Sequence, residues 1–260
     1  GAQLGDEGKG KIVDLLSEKV DAVVRYAGGP NAGHTLVVGE ERLVFRLVPS
    51  GILHAHTECL LGSGMVINAE ALLGEIGELE GRQIEVRNRL RISDRAHLIL
   101  PYHITVDSLR ESKAGGTKIG TTKRGIGPCY EDKIGRRGVR MGDLLNLDAA
   151  RHRIEEAIGF WTPQLIAMDH EVPSIDAICA PLEALAKELG PLIGDTAPRI
   201  DDLIVAGKKL LLEGAQGTML DVDHGTYPFV TSSSAIAGGA CTGSGIGPSR
   251  IDHVLGITKA

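Results

Sequence analysis

Apolar positions along the chain recur with two periods, one helical and one alternating, and together these set the fold class. Gly8–Val20 has helical spacing, with Ile12, Leu15, Leu16 and Val20 on one face and Asp and Lys residues opposite. Ala22–Ala27 reads as a short buried strand that stops at Gly28-Gly29-Pro30. Thr35–Val38 and Arg42–Val48 read as a hairpin about Gly39-Glu40-Glu41. Asn68 is placed to cap a helix running to Glu80, with Ala71, Leu72, Ile76 and Leu79 inside. Arg89–Ser93 and His97–Leu100 read as strands. Helices follow at Asp148–Phe160, Ser174–Leu189 and Pro198–Ala206, and an apolar strand at Lys208–Glu213. Between these, Gly115–Gly138 reads as a basic loop and Gly214–Gly247 as a glycine- and serine-rich one. The alternation predicts an α/β fold: a mainly parallel twisted sheet with flanking helices, and with the glycine-rich loops gathered at one edge, where such sheets bind ligands. No repeat and no low-complexity linker interrupts the pattern.

Composition narrows the functional classes. The chain has 260 residues and a net charge of -6, which disfavours a general nucleic-acid coat. Aromatic residues are 3% of the total, too few for a base-stacking platform. No apolar run reaches the roughly 20 residues of a membrane span, and no secretory signal is visible. The four cysteines (Cys59, Cys129, Cys179, Cys241) form no C-x-x-C pair and read as reduced cytosolic thiols. Glycine, at 35 residues, is nearly double its usual share of about 7%. Excess glycine suits backbone brought close to a ligand. The chain opens on a glycine-rich loop with no strand before it, and Val254–Ala260 reads as an element cut in mid-run. An internal fragment, a single truncated α/β domain over 1–260, is therefore expected.

Four motifs carry chemistry. Gly5-Asp6-Glu7-Gly8-Lys9-Gly10-Lys11 satisfies G-x-x-x-x-G-K, but Ile12 stands where Ser or Thr usually holds a metal. Its glycines let N–H groups converge on phosphate, and a helix N-terminus adds favourable field. Acids are out of place in such a loop unless one holds Mg²⁺ or removes a proton. Gly28-Gly29-Pro30-Asn31-Ala32-Gly33-His34-Thr35 follows a strand and offers His34 as acid, base or phosphate donor. Ile119–Pro128, continuing to Arg136-Arg137, joins hydroxyls to cations and suits a phosphate ligand, though it also fits a solvated basic loop. The fourth runs Glu213-Gly214-Ala215-Gln216-Gly217, Asp221-Val222-Asp223-His224-Gly225-Thr226-Tyr227-Pro228 and Val230-Thr231-Ser232-Ser233. Gln216 has an amide that both donates and accepts. Asp221, Asp223 and His224 match no metal template, which favours structural hydrogen bonding.

In this order the four motifs closely resemble those of the adenylosuccinate synthetase family, along essentially the whole chain. The resemblance implies GTP-dependent ligation of L-aspartate to IMP in purine biosynthesis, with Mg²⁺, through 6-phosphoryl-IMP. It implies catalytic roles for Asp6 (removing the N1 proton), His34 (at the leaving phosphate) and Gln216 (stabilising O6). Gly5, Asp6, Glu7, Gly8, Lys9, Gly10, Lys11, Gly33, His34 and Thr35 would contact GTP. Asp6, Glu7, Gly8, Lys9, Asn31, Ala32, Gly33, His34, Thr122, Gln216 and Thr231 would contact IMP, and the Asp6 carboxylate and Gly33 carbonyl would hold Mg²⁺. Arg136 matches an arginine lent across a homodimer to the neighbour's IMP. A cytoplasmic enzyme is implied, with no nucleic-acid or membrane partner. Two departures stand out. Leu4 replaces a Trp usual before the first loop, and the family's arginine-rich aspartate loop and T-K-x-D guanine reader fall beyond residue 260. The bare fragment is thus expected to be weakly active or inactive. Three rivals remain: a phosphate-loop kinase or GTPase, which Ile12 disfavours; a viral-type synthetase acting on a guanine nucleotide, a type that generally lacks the acid at Asp6; and a non-catalytic nucleotide-binding module.

Overall fold

Helices and short strands alternate along the chain as the periodicity predicts. The computed structural model describes residues 1–31, 33–38, 41–113 and 118–259, with backbone alone for 34–38 and 41–43. In chain order the elements are α1 (Lys9–Ser17), β1 (Ala22–Arg25), β2 (His34–Val38), β3 (Glu41–Phe45), β4 (Glu58–Leu61), β5 (Val66–Ile67) and α2 (Ala69–Gly81). Then come β6 (Leu90–Ser93), β7 (His97–Leu98), α3 (Pro101–Lys113), α4 (Ile126–Ile134), α5 (Leu147–Ala167), α6 (Ile175–Cys179) and α7 (Leu182–Leu189). The last four are β8 (Ile193–Gly194), α8 (Thr196–Val205), β9 (Leu210–Glu213) and α9 (Gly239–Ser244).

Five strands form a parallel sheet in the order β8-β6-β4-β1-β9. The central strand β1 is buried at all four positions, as a parallel strand covered on both faces must be. Its side chains alternate between two cores. Val23 joins the large cluster under α2 and α5, with Leu72, Ile76 and Trp161. Ala22 and Val24 join a smaller cluster with Ile200 and Leu203 of α8. The hairpin of β2 and β3 pairs His34 with Phe45 and Thr35 with Val44 outside this sheet. No helix among the described residues is long and apolar enough to cross a membrane.

Several boundaries differ from the sequence pattern, each for a physical reason. In α1 the buried row is Lys9, Val13 and Ser17, not Ile12 and Leu16, and Leu15 is 59% exposed. The helix is oriented by its loop: Lys9 is drawn inward, and the Ser17 hydroxyl is satisfied by donating to the Val13 carbonyl at 2.7 Å. In α2 Asn68 caps as predicted, its Oδ1 accepting from Ala71 N–H at 2.8 Å. That places Ala71 outside and Ala69 inside. Ser174–Leu189 is two helices, because Pro181 has no N–H with which to continue the first. Residues 251–259 form neither strand nor helix. Helix α3 and, inside the basic loop, α4 are additions. The buried face of α3 includes His103, Asp107 and Glu111, so apolar periodicity does not report it.

Candidate active site

The four motifs meet. Loops that leave the carboxyl ends of β1 and β9 face the loop that opens α1 and the loop between α3 and α4. They enclose a cavity of about 1150 Å³. Ligand pockets run roughly 300–1,000 Å³, so this chamber exceeds the room one small ligand needs. Its lining includes Gly5, Asp6, Gly8, Lys9, Gly10 and Lys11; Asn31 and Gly33; Thr121 and Thr122; and Gln216 and Thr231.

The first loop is built from left-handed backbone. Gly5, Asp6 and Gly8 have φ of 98°, 60° and 78°. Glycine adopts this region freely and Asp tolerates it. The two acids of the loop then separate. Glu7 turns inward and is buried, its Oε1 accepting from Gln3 N–H at 3.0 Å and Gly5 N–H at 2.8 Å. Burial would raise its pKa, but these backbone donors and Lys9 hold it below the usual value. Glu7 braces the loop and does not line the cavity. Asp6 is exposed on the cavity wall, and among the described residues no protein group hydrogen-bonds its carboxylate.

Lys9 is buried and donates from Nζ to the Gln216 carbonyl at 2.9 Å, tying the first loop to the fourth. Burial depresses its pKa, against the favourable charges of Glu7 and Glu213. Beyond β1, Gly28 has φ of 81°, and a Cβ there would meet the Ala215 Cβ at 2.6 Å. Its N–H donates to the Tyr130 hydroxyl at 3.0 Å, and that hydroxyl donates to the Gly64 carbonyl at 2.7 Å. Asn31 Oδ1 accepts from Gly29 N–H at 3.3 Å. Arg124 donates to the Pro30 carbonyl, joining the second and third loops. The backbone of His34 and Thr35 opens β2, and Ala32 lies outside the described residues.

Among the described residues, two buried polar atoms of the cavity lining have no hydrogen-bond partner. Gln216 is 8% exposed, and while its Oε1 accepts from the Ser233 hydroxyl at 3.5 Å, its Nε2 is buried and unpaired. The Thr121 Oγ1 is likewise buried and unpaired. An amide left so costs about 1–3 kcal/mol, which a ligand oxygen can recover. The Thr231 hydroxyl sits 3.2 Å from that of Ser233.

In the D-x-D-H stretch the first aspartate holds the surrounding loop together. Asp221 is fully buried and accepts from the N–H groups of Asp223, His224, Ala235 and Ile236 at 3.0, 3.1, 2.6 and 3.1 Å. Burial would raise its pKa; the four donors hold it down. Among the described residues no group of three or more His, Cys, Asp or Glu could hold a metal. Arg136, exposed and left-handed at φ 62° just past α4, lies outside this cavity. Conversely, Asp107, Arg110 and Glu111 of α3 line the cavity although no motif marks them. Their i, i+3, i+4 polar spacing is the signal the sequence offers.

A family model described as adenylosuccinate synthetase matches residues 1–260. Curated adenylosuccinate synthetases from Sorangium cellulosum and Haemophilus influenzae are 58% and 52% identical over the whole chain. The chain spans 61% and 60% of their lengths. Among solved structures, fully ligated adenylosuccinate synthetase from Plasmodium falciparum superposes with a TM-score of 0.91 at 38% identity, over 99% of this chain and 60% of that one. Cyanophage S-2L succinoaminodeoxyadenylate synthetase, bound to dGMP and dATP, gives 0.65 at 25% identity, over 95% and 59%.

Proposed function

The chain belongs to the adenylosuccinate synthetase family, and from that premise we propose that, at the length of its relatives, it joins L-aspartate to IMP using GTP. The observation that carries this reading is the pairing of an unpartnered buried donor, Gln216 Nε2, with an open carboxylate, Asp6, on one chamber. A hypoxanthine ring needs both. Asp6 takes the N1 proton, and electron density moves to O6, where the Gln216 amide stabilises the developing charge. O6 attacks the γ-phosphorus, the bond to the β-phosphate oxygen breaks, and GDP leaves. The aspartate amine then bonds C6, the C6–O6 bond breaks, phosphate departs, and the amine loses a proton.

Asn31, Thr122 and Thr231 hold IMP in this reading. The first loop and Gly33–Thr35 hold GTP, with His34 assisting at the transferring phosphate. Asp6 and the Gly33 carbonyl, oxygen donors of residues that line the same cavity, would hold a hard cation beside the phosphates. When bound, Mg²⁺ neutralises charge on the transferring group. Arg136, outside its own cavity, reaches the neighbour's IMP in a homodimer. The residues 1–260 act as a single α/β domain of a cytoplasmic enzyme.

Thermal melting tests the acceptor. In a chain completed to the length of the curated relatives, IMP at about 100 times its Kd is expected to raise Tm by about 3 °C. The shift with dGMP is expected to be much smaller. An equal or larger shift with dGMP points instead to a guanine-nucleotide acceptor.

A further inference from the structure

Three polar residues of α3, His103, Asp107 and Glu111, are 0%, 5% and 7% exposed. Their i, i+4, i+8 spacing puts them in one row along the helix. Burying such a row is unfavourable unless each group is partnered. Here the row grips the third loop. Asp107 Oδ2 accepts from Gly125 N–H at 2.9 Å, and Glu111 Oε1 accepts from Gly120 N–H at 2.8 Å. The His103 main chain and Cβ abut the same Gly125, where an added Cβ would meet them at 2.9 Å.

The two grips lie one turn apart on the helix and enclose residues 121–124 of the loop. That segment does not hold its shape alone. Gly120, Lys123 and Gly125 all have positive φ, of 85°, 55° and 76°, and such backbone persists only where its surroundings fix it. Helix α3 is itself fixed. His103 Nε2 lies 3.0 Å from Asp132 Oδ2, and Arg110 donates to Glu131 at 2.7 Å and to Gln164 at 2.8 Å.

We propose that Asp107 and Glu111 are positioning residues for the acceptor nucleotide: they clamp residues 120–125 so that Thr121 and Thr122 are presented to it. The inference rests on the IMP reading of the cavity. Both residues line the cavity, but the hydrogen bonds their carboxylates accept come from the loop backbone. Each acts through one backbone N–H, so the clamp needs an acceptor oxygen and not a charge. Asn and Gln retain that oxygen; Ala does not.

The test uses Asp107→Asn, Glu111→Gln, Asp107→Ala, Glu111→Ala and the double alanine variant, in a chain completed to the relatives' length. Each single alanine is expected to raise KM for IMP about tenfold, and the pair about a hundredfold, from the loss of one or two hydrogen bonds. The KM for GTP stays within about threefold, because the loop is assigned to the acceptor. The amide variants recover most of the loss. Hydrogen exchange without nucleotide gives a readout independent of turnover. The Gly120 and Gly125 amides are expected to exchange at least about tenfold faster in the alanine variants, and near the parent rate in the amide variants. Unchanged exchange in the alanine variants overturns the clamp. Amide variants as impaired as alanine overturn the acceptor-only account. The expected exchange pattern in a parent that shows no IMP-dependent turnover sinks the functional reading, and the nucleotide role with it, but leaves the clamp standing.

Discussion

Asp6→Asn, made in a chain completed to the length of the curated relatives, is expected to lower kcat by about 10²–10⁴-fold, the usual worth of a positioned general base. Tm is expected to change little. Asp6 sits at φ 60°, and Asn is among the few residues that occupy this region readily. Its carboxylate accepts no protein hydrogen bond among the described residues, so the fold loses none. Asp6→Ala would confuse the result, because left-handed backbone at Ala costs roughly 1–2 kcal/mol. Steady-state kinetics with IMP varied, beside a melt of each variant, separates chemistry from folding. Turnover close to the parent would remove Asp6 from the mechanism and favour a nucleotide-binding module.

The largest stability effect is expected at Asp132. This fully buried carboxylate on α4 accepts from Tyr102 at 3.2 Å, from His103 Nε2 at 3.0 Å, from Trp161 Nε1 at 3.0 Å and from Arg137 Nε at 2.6 Å. It thereby joins α3, α4 and α5 behind the third loop. Asp132→Ala strands these donors and is expected to cost about 3–5 kcal/mol. At this size that lowers Tm by roughly 6–20 °C. Urea unfolding measures it; a loss under about 1 kcal/mol would contradict the role.

Acid acts on the same cluster. Burial alone would raise the Asp132 pKa, but the hydrogen bonds from His103 and Trp161 and the charge of Arg137 hold it below the ordinary value. A depressed carboxylate stabilises the fold above its unfolded pKa of about 3.9 and loses that contribution as pH falls through the folded value. His103 is neutral: Nδ1 accepts from Leu100 N–H at 2.9 Å, Nε2–H donates to Asp132, and burial lowers its pKa. His97 is pushed down to about 3 by burial, then by the charges of Lys133 and Arg140. Both histidines bind protons more readily unfolded, so stability is expected to fall as pH drops below about 6.5.

The sequence made the ligand loops legible because their glycines, hydroxyls and charges are local features. Asn68 was legible as a cap for the same reason. What it hid depends on tertiary contact. Asp6 and Glu7 look alike in a string of letters; backbone conformation turns one into the cavity and the other onto N–H groups. Lys9 reads as a phosphate ligand, yet in this structure it holds the Gln216 carbonyl from more than two hundred residues away. Helix α3 escaped notice because its buried positions carry His103, Asp107 and Glu111, whose partners lie on α4 and on the third loop.

In the proposed function one cavity couples phosphoryl transfer from GTP to activation of IMP. The most direct measurement follows the products formed by a chain completed to the relatives' length, given IMP, GTP, Mg²⁺ and L-aspartate. Equal amounts of adenylosuccinate, GDP and phosphate, with no GDP when IMP is omitted and no more than about one GDP per site when aspartate is omitted, is the expected result. GTP hydrolysis that proceeds at the same rate with and without IMP would contradict it.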